Sequence, residues 1–236
     1  MMETNPVSVL TTQADSAERV TAFLRKVYGW MFLGLGITAF VANVVAGSPD
    51  VLRALVGNQL VFFALFAVEL GLVFWLSSRV GSMAPANAAA LFVLYSALNG
   101  VTLSVILLVY TGATIASTFL VTAAMFGALA VYGTVTSKSL AGVRQFVMMG
   151  LVGLILCSVV SMFWHNSALE FLISIVGVIV FTGLTAWDAQ RLRMMATSLP
   201  DGRVGSYAVV GALSLYLDFI NLFLILLRFQ GGGRRE

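Results

Sequence analysis

Between Arg79 and Lys138 the chain runs through residues 80–137 without one charged side chain. A water-facing surface cannot be covered by such a stretch. At about 20 residues per crossing of the hydrocarbon core, it holds two membrane spans and the hairpin between them. Residues 27–49 form a second charge-free window, and residues 145–169 a third if His165 is neutral. Of the 236 residues, 60% are hydrophobic and only 10% charged, against about 25% charged in soluble domains. The mean hydropathy of +0.99 agrees. Barrel strands would alternate in segments of about 10 residues, whereas the apolar runs here are continuous. The chain is an all-α polytopic membrane protein.

Seven spans are predicted, near 27–46, 59–78, 87–110, 112–135, 146–164, 169–188 and 207–229. Ser48-Pro49-Asp50 marks the first turn, Pro85 lies in the second, Thr111-Gly112 makes a tight one, and Pro200-Asp201-Gly202 lies in the last. No repeat or long linker divides the chain. Residues 1–22 read as a polar cytoplasmic N-terminal tail, 23–230 as one seven-helix domain and 231–236 as a short polar tail. No cleavable signal precedes the first span, which then serves as the insertion signal. With the N-terminus inside, the inner segments hold nine basic residues: Arg19, Arg25, Lys26, Arg79, Lys138, Arg144, Arg191, Arg193 and Arg203. The outer side holds four, Arg53, Arg228, Arg234 and Arg235, so the expected topology is N-in, C-out. The net charge of +3 is spread over loops and reads as topology information, not as a nucleic-acid footprint. One cysteine, Cys157, allows no internal disulfide.

Carboxylates inside spans cost about 2.5–3.5 kcal/mol at mid-bilayer and are functional candidates by default. Three qualify: Glu69 in LFAVELGLVFWL, Asp188 in FTGLTAWDAQRLR and Asp218 in LSLYLDFINLFLILL. At about 1.5 Å per residue, Glu69 lies roughly 13 Å and Asp218 roughly 16 Å from the inner ends of their helices, at one level. Asp188 and Arg79 both fall at inner ends and could pair. The same arithmetic sets Asp188 more than about 10 Å shallower than Asp218. Ser214 and Asn221 share a helical face with Asp218 and would give the seventh helix a polar stripe turned inward. The structural alternative is that each carboxylate is satisfied by a neighbouring Arg, Asn or backbone group. Asp188 in particular could be an interfacial residue beside Arg191 and Arg193.

Several chemistries are excluded. The only lysines, Lys26 and Lys138, are not placed for a retinal Schiff base. One histidine in an outer loop and one cysteine cannot build a zinc site or an intramembrane Ser–His protease. No P-loop or dinucleotide fingerprint is present. An intramembrane aspartyl protease on Asp188 and Asp218 is the one catalytic arrangement left, and the motifs around them point elsewhere. No enzyme activity and no cofactor are expected.

Those motifs carry a resemblance. ALSLYLDFINLFLILLRF (212–229) resembles the C-terminal signature of the transmembrane Bax inhibitor motif family. FTGLTAWDAQRL (181–192) is similar to its sixth-helix motif, FLRKVYGWMFLGLGITA (23–39) to its first helix and VELGLVFWLSSRV (68–80) to its second. The likeness runs from about residue 20 to 230. Ending in GGGRRE instead of a long Lys-rich tail, the chain most resembles a bacterial inner-membrane member. The resemblance implies a seventh helix surrounded by the other six. It also implies a pH-sensitive calcium leak in which Asp188 and Asp218 share a proton, with Glu69 along the path and Arg79 as a latch to Asp188. Calcium would be the permeant or bound ion at Asp188 and Asp218. Two carboxylates held close cannot both ionise cheaply and so titrate as a pair; deprotonated, they suit a hard cation that prefers oxygen. Direct contact between them rests on the resemblance, because the depth arithmetic speaks against it. The competing expectation is a non-conducting modulator or partner of an ATP-dependent membrane protease, with the N-terminal tail as its handle.

Overall fold

The computed structural model describes residues 6–164 and 166–232. In chain order the helices are α1 (Pro6–Ala46), α2 (Pro49–Gly57), α3 (Gln59–Arg79), α4 (Pro85–Leu103), α5 (Ile106–Val109), α6 (Gly112–Val135), α7 (Ala141–Phe163), α8 (Ser167–Ser198) and, after a 3-10 turn at Asp201–Arg203, α9 (Val204–Gly232). Seven segments among the described residues are long and apolar enough to cross a membrane, α4 and α5 together making one of them. His165, Arg234 and Arg235 lie outside the described residues, as do residues 1–5 of the predicted tail.

Local chemistry sets the helix starts. Asn58, Thr111 and Asn166 sit in extended backbone before α3, α6 and α8. The Asn58 oxygen accepts from the Leu60 and Val61 amides, that of Thr111 from Thr114, and that of Asn166 from Ala168 and Leu169. Each cap satisfies amides that the first helical turn leaves without partners. Pro49 and Pro85 open α2 and α4, where a missing N–H costs nothing.

Three sequence expectations need correction. The stretch read as a polar tail is helical from Pro6: polar residues end an apolar segment without ending a helix. The first loop contains α2, too short to cross and so invisible to a search for spans. Most consequentially, α8 does not stop at Asp188 but continues to Ser198. Arg191 and Arg193 mark where charge resumes, and both are good helix formers; the helix ends only at the Leu199-Pro200 step, where the residue before proline leaves the helical region.

α9 is the centre of the bundle. It packs against α1, α4, α6 and α8 and touches α3, while α7 lies against α8. Phe23, Val27 and Met31 of α1, Phe92 and Tyr95 of α4, Phe126 of α6 and Tyr216 and Phe219 of α9 belong to one core. A second joins Val147 and Leu154 of α7 to Val180 and Leu184 of α8 and Leu222 of α9. Close helix approach needs small residues when no water drives association. At Gly100 of α4 a Cβ would come within 2.7 Å of the Thr38 carbonyl oxygen on α1. Large side chains such as Phe40, Phe74, Met149 and Phe163 point outward, as a lipid-facing surface requires.

One end of the bundle is tied by polar side chains. Gln190 accepts from the Leu140 amide (2.9 Å) and donates to the Lys138 carbonyl (2.8 Å), and Arg193 donates to the Thr134 carbonyl (2.8 Å). Arg203 donates to the Gly81 carbonyl, and Ser206 to that of Met83 (2.7 Å). This end also carries Arg79.

Candidate functional site: a buried aspartate pair and a separate glutamate network

Because α8 extends past Asp188, that residue lies about 15 Å inside the helix end at Ser198. Asp218 lies about 21 Å from the start of α9 at Val204. The two helices are antiparallel neighbours joined by the short turn, so the carboxyls sit at similar depth. They are buried, and their side chains contact each other. The depth separation expected from sequence is therefore overturned, its cause being the misplaced end of α8.

The surroundings of the pair are unequal. Asp188 Oδ1 accepts from Arg191 at 3.4 Å, and Arg144 at the start of α7 also acts on it electrostatically. Both guanidiniums lie over the Trp187 ring, 5.1 Å (Arg144) and 5.4 Å (Arg191) from its centroid; this stacking holds the cations in place. Asp218 touches no cation, and its Oδ2 has no hydrogen-bond partner among the described residues. Two bare carboxylates in this position would repel each other and leave that oxygen unsatisfied. One proton held between them resolves both problems.

The predicted latch is corrected. Arg79 closes α3 as an exposed residue and makes no ion pair among the described residues, whereas Arg191 pairs with Asp188 from one turn along the same helix. The supporting face is also different from expectation. Asn221 donates back to the Leu217 carbonyl of its own helix (2.8 Å), and Ser214 makes no side-chain hydrogen bond among the described residues.

Glu69 is buried on α3 but belongs to another constellation. Thr102 donates to its Oε1 at 2.5 Å, and Asn99 Nδ2 lies 3.5 Å from Oε2. The Tyr216 hydroxyl donates to Asn99 Oδ1 (3.0 Å) and lies 2.6 Å from Thr38 Oγ1, which bonds the Ser96 carbonyl at 2.9 Å. The network thus crosses α3, α4, α9 and α1. Tyr216 is two residues before Asp218, which puts Glu69 and Asp218 near one level, as expected.

Sequence reasoning missed Asn99, Thr102, Thr38 and Tyr216, since uncharged polar residues are common in spans. It also missed Arg144 and Trp187. Arg191 was visible, three residues after Asp188. Calcium takes 6–8 oxygen ligands, and among the described residues no group of three or more His, Cys, Asp or Glu side chains gathers to supply them.

Residues 20–235 match the family described as "Inhibitor of apoptosis-promoting Bax1". The inner membrane protein YbhL of Escherichia coli K12 is 45% identical over 215 residues, covering 90% of this chain and 92% of its own. An uncharacterized protein of Borreliella burgdorferi is 44% identical over 216 residues, 91% of this chain and 93% of its own. Another, of Deinococcus radiodurans, is 39% identical over 229 residues, 97% of each chain.

Proposed function

The chain belongs to the Bax inhibitor family and is a multi-pass inner-membrane protein, and from that premise we propose that it is a pH-sensitive cation leak, with calcium as the permeant ion, gated by Asp188 and Asp218. The observation that carries this reading is the contact between two buried carboxyls on consecutive spanning helices, one of them with an orphaned oxygen. With one proton shared, the pair is a hydrogen-bonded clasp between α8 and α9. When that proton leaves, repulsion between adjacent unit charges, about 4 kcal/mol at 4 Å and an effective dielectric constant near 20, separates the helices. The freed carboxylates then offer oxygen ligands to a hard cation. Arg191 and Arg144 beside Asp188 favour the ionised state. The protein performs no covalent chemistry in this reading, and its N-terminus faces the cytoplasm by the distribution of basic residues.

The test is calcium flux into proteoliposomes between about pH 6 and 8, comparing the wild type with Asp218→Asn. Flux that rises with pH in the wild type and loses that dependence in the variant is the expected result. No wild-type flux at any pH, in well-folded protein, rejects the leak.

A second reading has one observation in its favour. α1 is 41 residues long, about twice what a crossing needs, so its first turns extend beyond the hydrocarbon as a handle for a partner such as an ATP-dependent membrane protease. Deleting residues 2–20 should abolish association with such a protease and leave flux intact.

A further inference from the structure

Both α1 and α6 pack on α9, yet a cavity of about 380 Å³ separates them. Leu24, Tyr28 and Phe32 of α1 form one wall, Gly127 and Val131 of α6 the other, and Phe219 of α9 the floor. A Cβ on Gly127 would meet no atom within 4 Å. The mouth is open to the outside: Phe32 is 67% exposed and Val131 63%, so the cleft continues the lipid-facing surface inward. A void lined by apolar groups gives water too few partners to enter and, left empty, forfeits dispersion contacts. Hydrocarbon chains are what lies at its mouth.

One end of the cleft differs from the rest. Here the Tyr28 hydroxyl reaches the Thr134 side chain, the polar tie between the two walls. Leu24 and Tyr28 both line the cleft, so Arg25 and Lys26 stand alongside this end of it, Arg25 next to the lining face of α1 and Lys26 on the opposite face, while α6 leaves toward Lys138. They are exposed and make no ion pair among the described residues. An apolar slot with two free cations, Arg25 and Lys138, at its end has the polarity of an anionic amphiphile, and basic sites between spanning helices suit acidic headgroups.

We propose that the cleft between α1 and α6 binds an anionic phospholipid, one acyl chain on Phe219 and the phosphate at Arg25 and Lys138. The lipid replaces missing helix–helix contact and covers α9 at the residue following Asp218. The inference is independent of whether the protein conducts.

The test uses the full-length protein in vesicles of phosphatidylethanolamine and phosphatidylglycerol, with a trace of phosphatidylglycerol carrying a photoreactive diazirine at the acyl terminus. Adducts are mapped by mass spectrometry after illumination. Labelling of Phe219 and Gly127 above that of the outward-facing Phe74 is expected. A phosphatidylcholine probe should label the cleft more weakly, and each cation removed, by Arg25→Gln or Lys138→Gln, should lower cleft labelling by about fivefold. Gly127→Leu fills the slot and should abolish labelling of Phe219 while leaving Phe74 unchanged. If that variant fails to fold, Val131→Trp, at a lipid-exposed position, closes the mouth with the same effect. Equal labelling by both probes, or no adduct at Phe219, overturns the proposal.

Discussion

Tyr216→Phe isolates the polar network that joins four helices. The ring is fully buried, edge-on to Phe92 and to Tyr95 with both centroids 5.8 Å away, and phenylalanine keeps that packing. What is lost is the hydroxyl, with its bonds to Asn99 Oδ1 (3.0 Å) and Thr38 Oγ1 (2.6 Å). Interhelical hydrogen bonds in membranes average about 0.6 kcal/mol and reach about 1.7. Two on one hydroxyl, with Asn99 Oδ1 left bare, give an expected loss of about 1–3 kcal/mol. Unfolding in graded sodium dodecyl sulfate, followed by tryptophan fluorescence, measures it. Thr38→Val removes one of the same bonds, so the double variant should lose less than the sum of the singles by about 1 kcal/mol. A Tyr216→Phe protein within about 0.3 kcal/mol of wild type, or strict additivity with Thr38→Val, would refute the network as a stabilising element.

Glu69→Gln should retain most stability because an amide can still bond Thr102 and Asn99. Glu69→Leu should lose about 1–3 kcal/mol, seen as faster proteolysis of α3, whose only other buried residue among those described is Leu76. Gly100→Leu, driven into the Thr38 carbonyl and the Val41 Cβ, should yield no monodisperse protein on size-exclusion chromatography, whereas Gly153→Leu, with open space around it, should behave as wild type. Arg191→Gln removes the cation beside Asp188, disfavours the ionised pair and should lower calcium flux at neutral pH by about fivefold or less, as expected for a half-exposed ion pair worth up to about 1 kcal/mol.

Much of the fold is legible in the chain because bilayer thickness imposes one length scale on every span. Charge-free windows located four of the seven crossings, and apolar runs interrupted by single charges the other three. The boundary at Asp188 failed for a physical reason: hydropathy reports where the apolar environment ends, while helix geometry ends where backbone hydrogen bonding does. Ten further residues of α8 moved Asp188 from the rim to the interior. The same error suggested Arg79 as its partner, when the cation was one turn away at Arg191.

From sequence alone follow the membrane class, the number of crossings, the three costly carboxylates and the family likeness, since each depends on local composition and one-dimensional spacing. Which carboxylates meet is a property of two helix surfaces at once. Only the packing of α8 against α9 brings Asp188 to Asp218. Only the placement of α3 beside α4 diverts Glu69 to Thr102 and Asn99, away from the pair. The tertiary structure decided this because rotation about a helix axis and lateral neighbourhood leave no trace in hydropathy, yet they determine which polar groups share a dry interior.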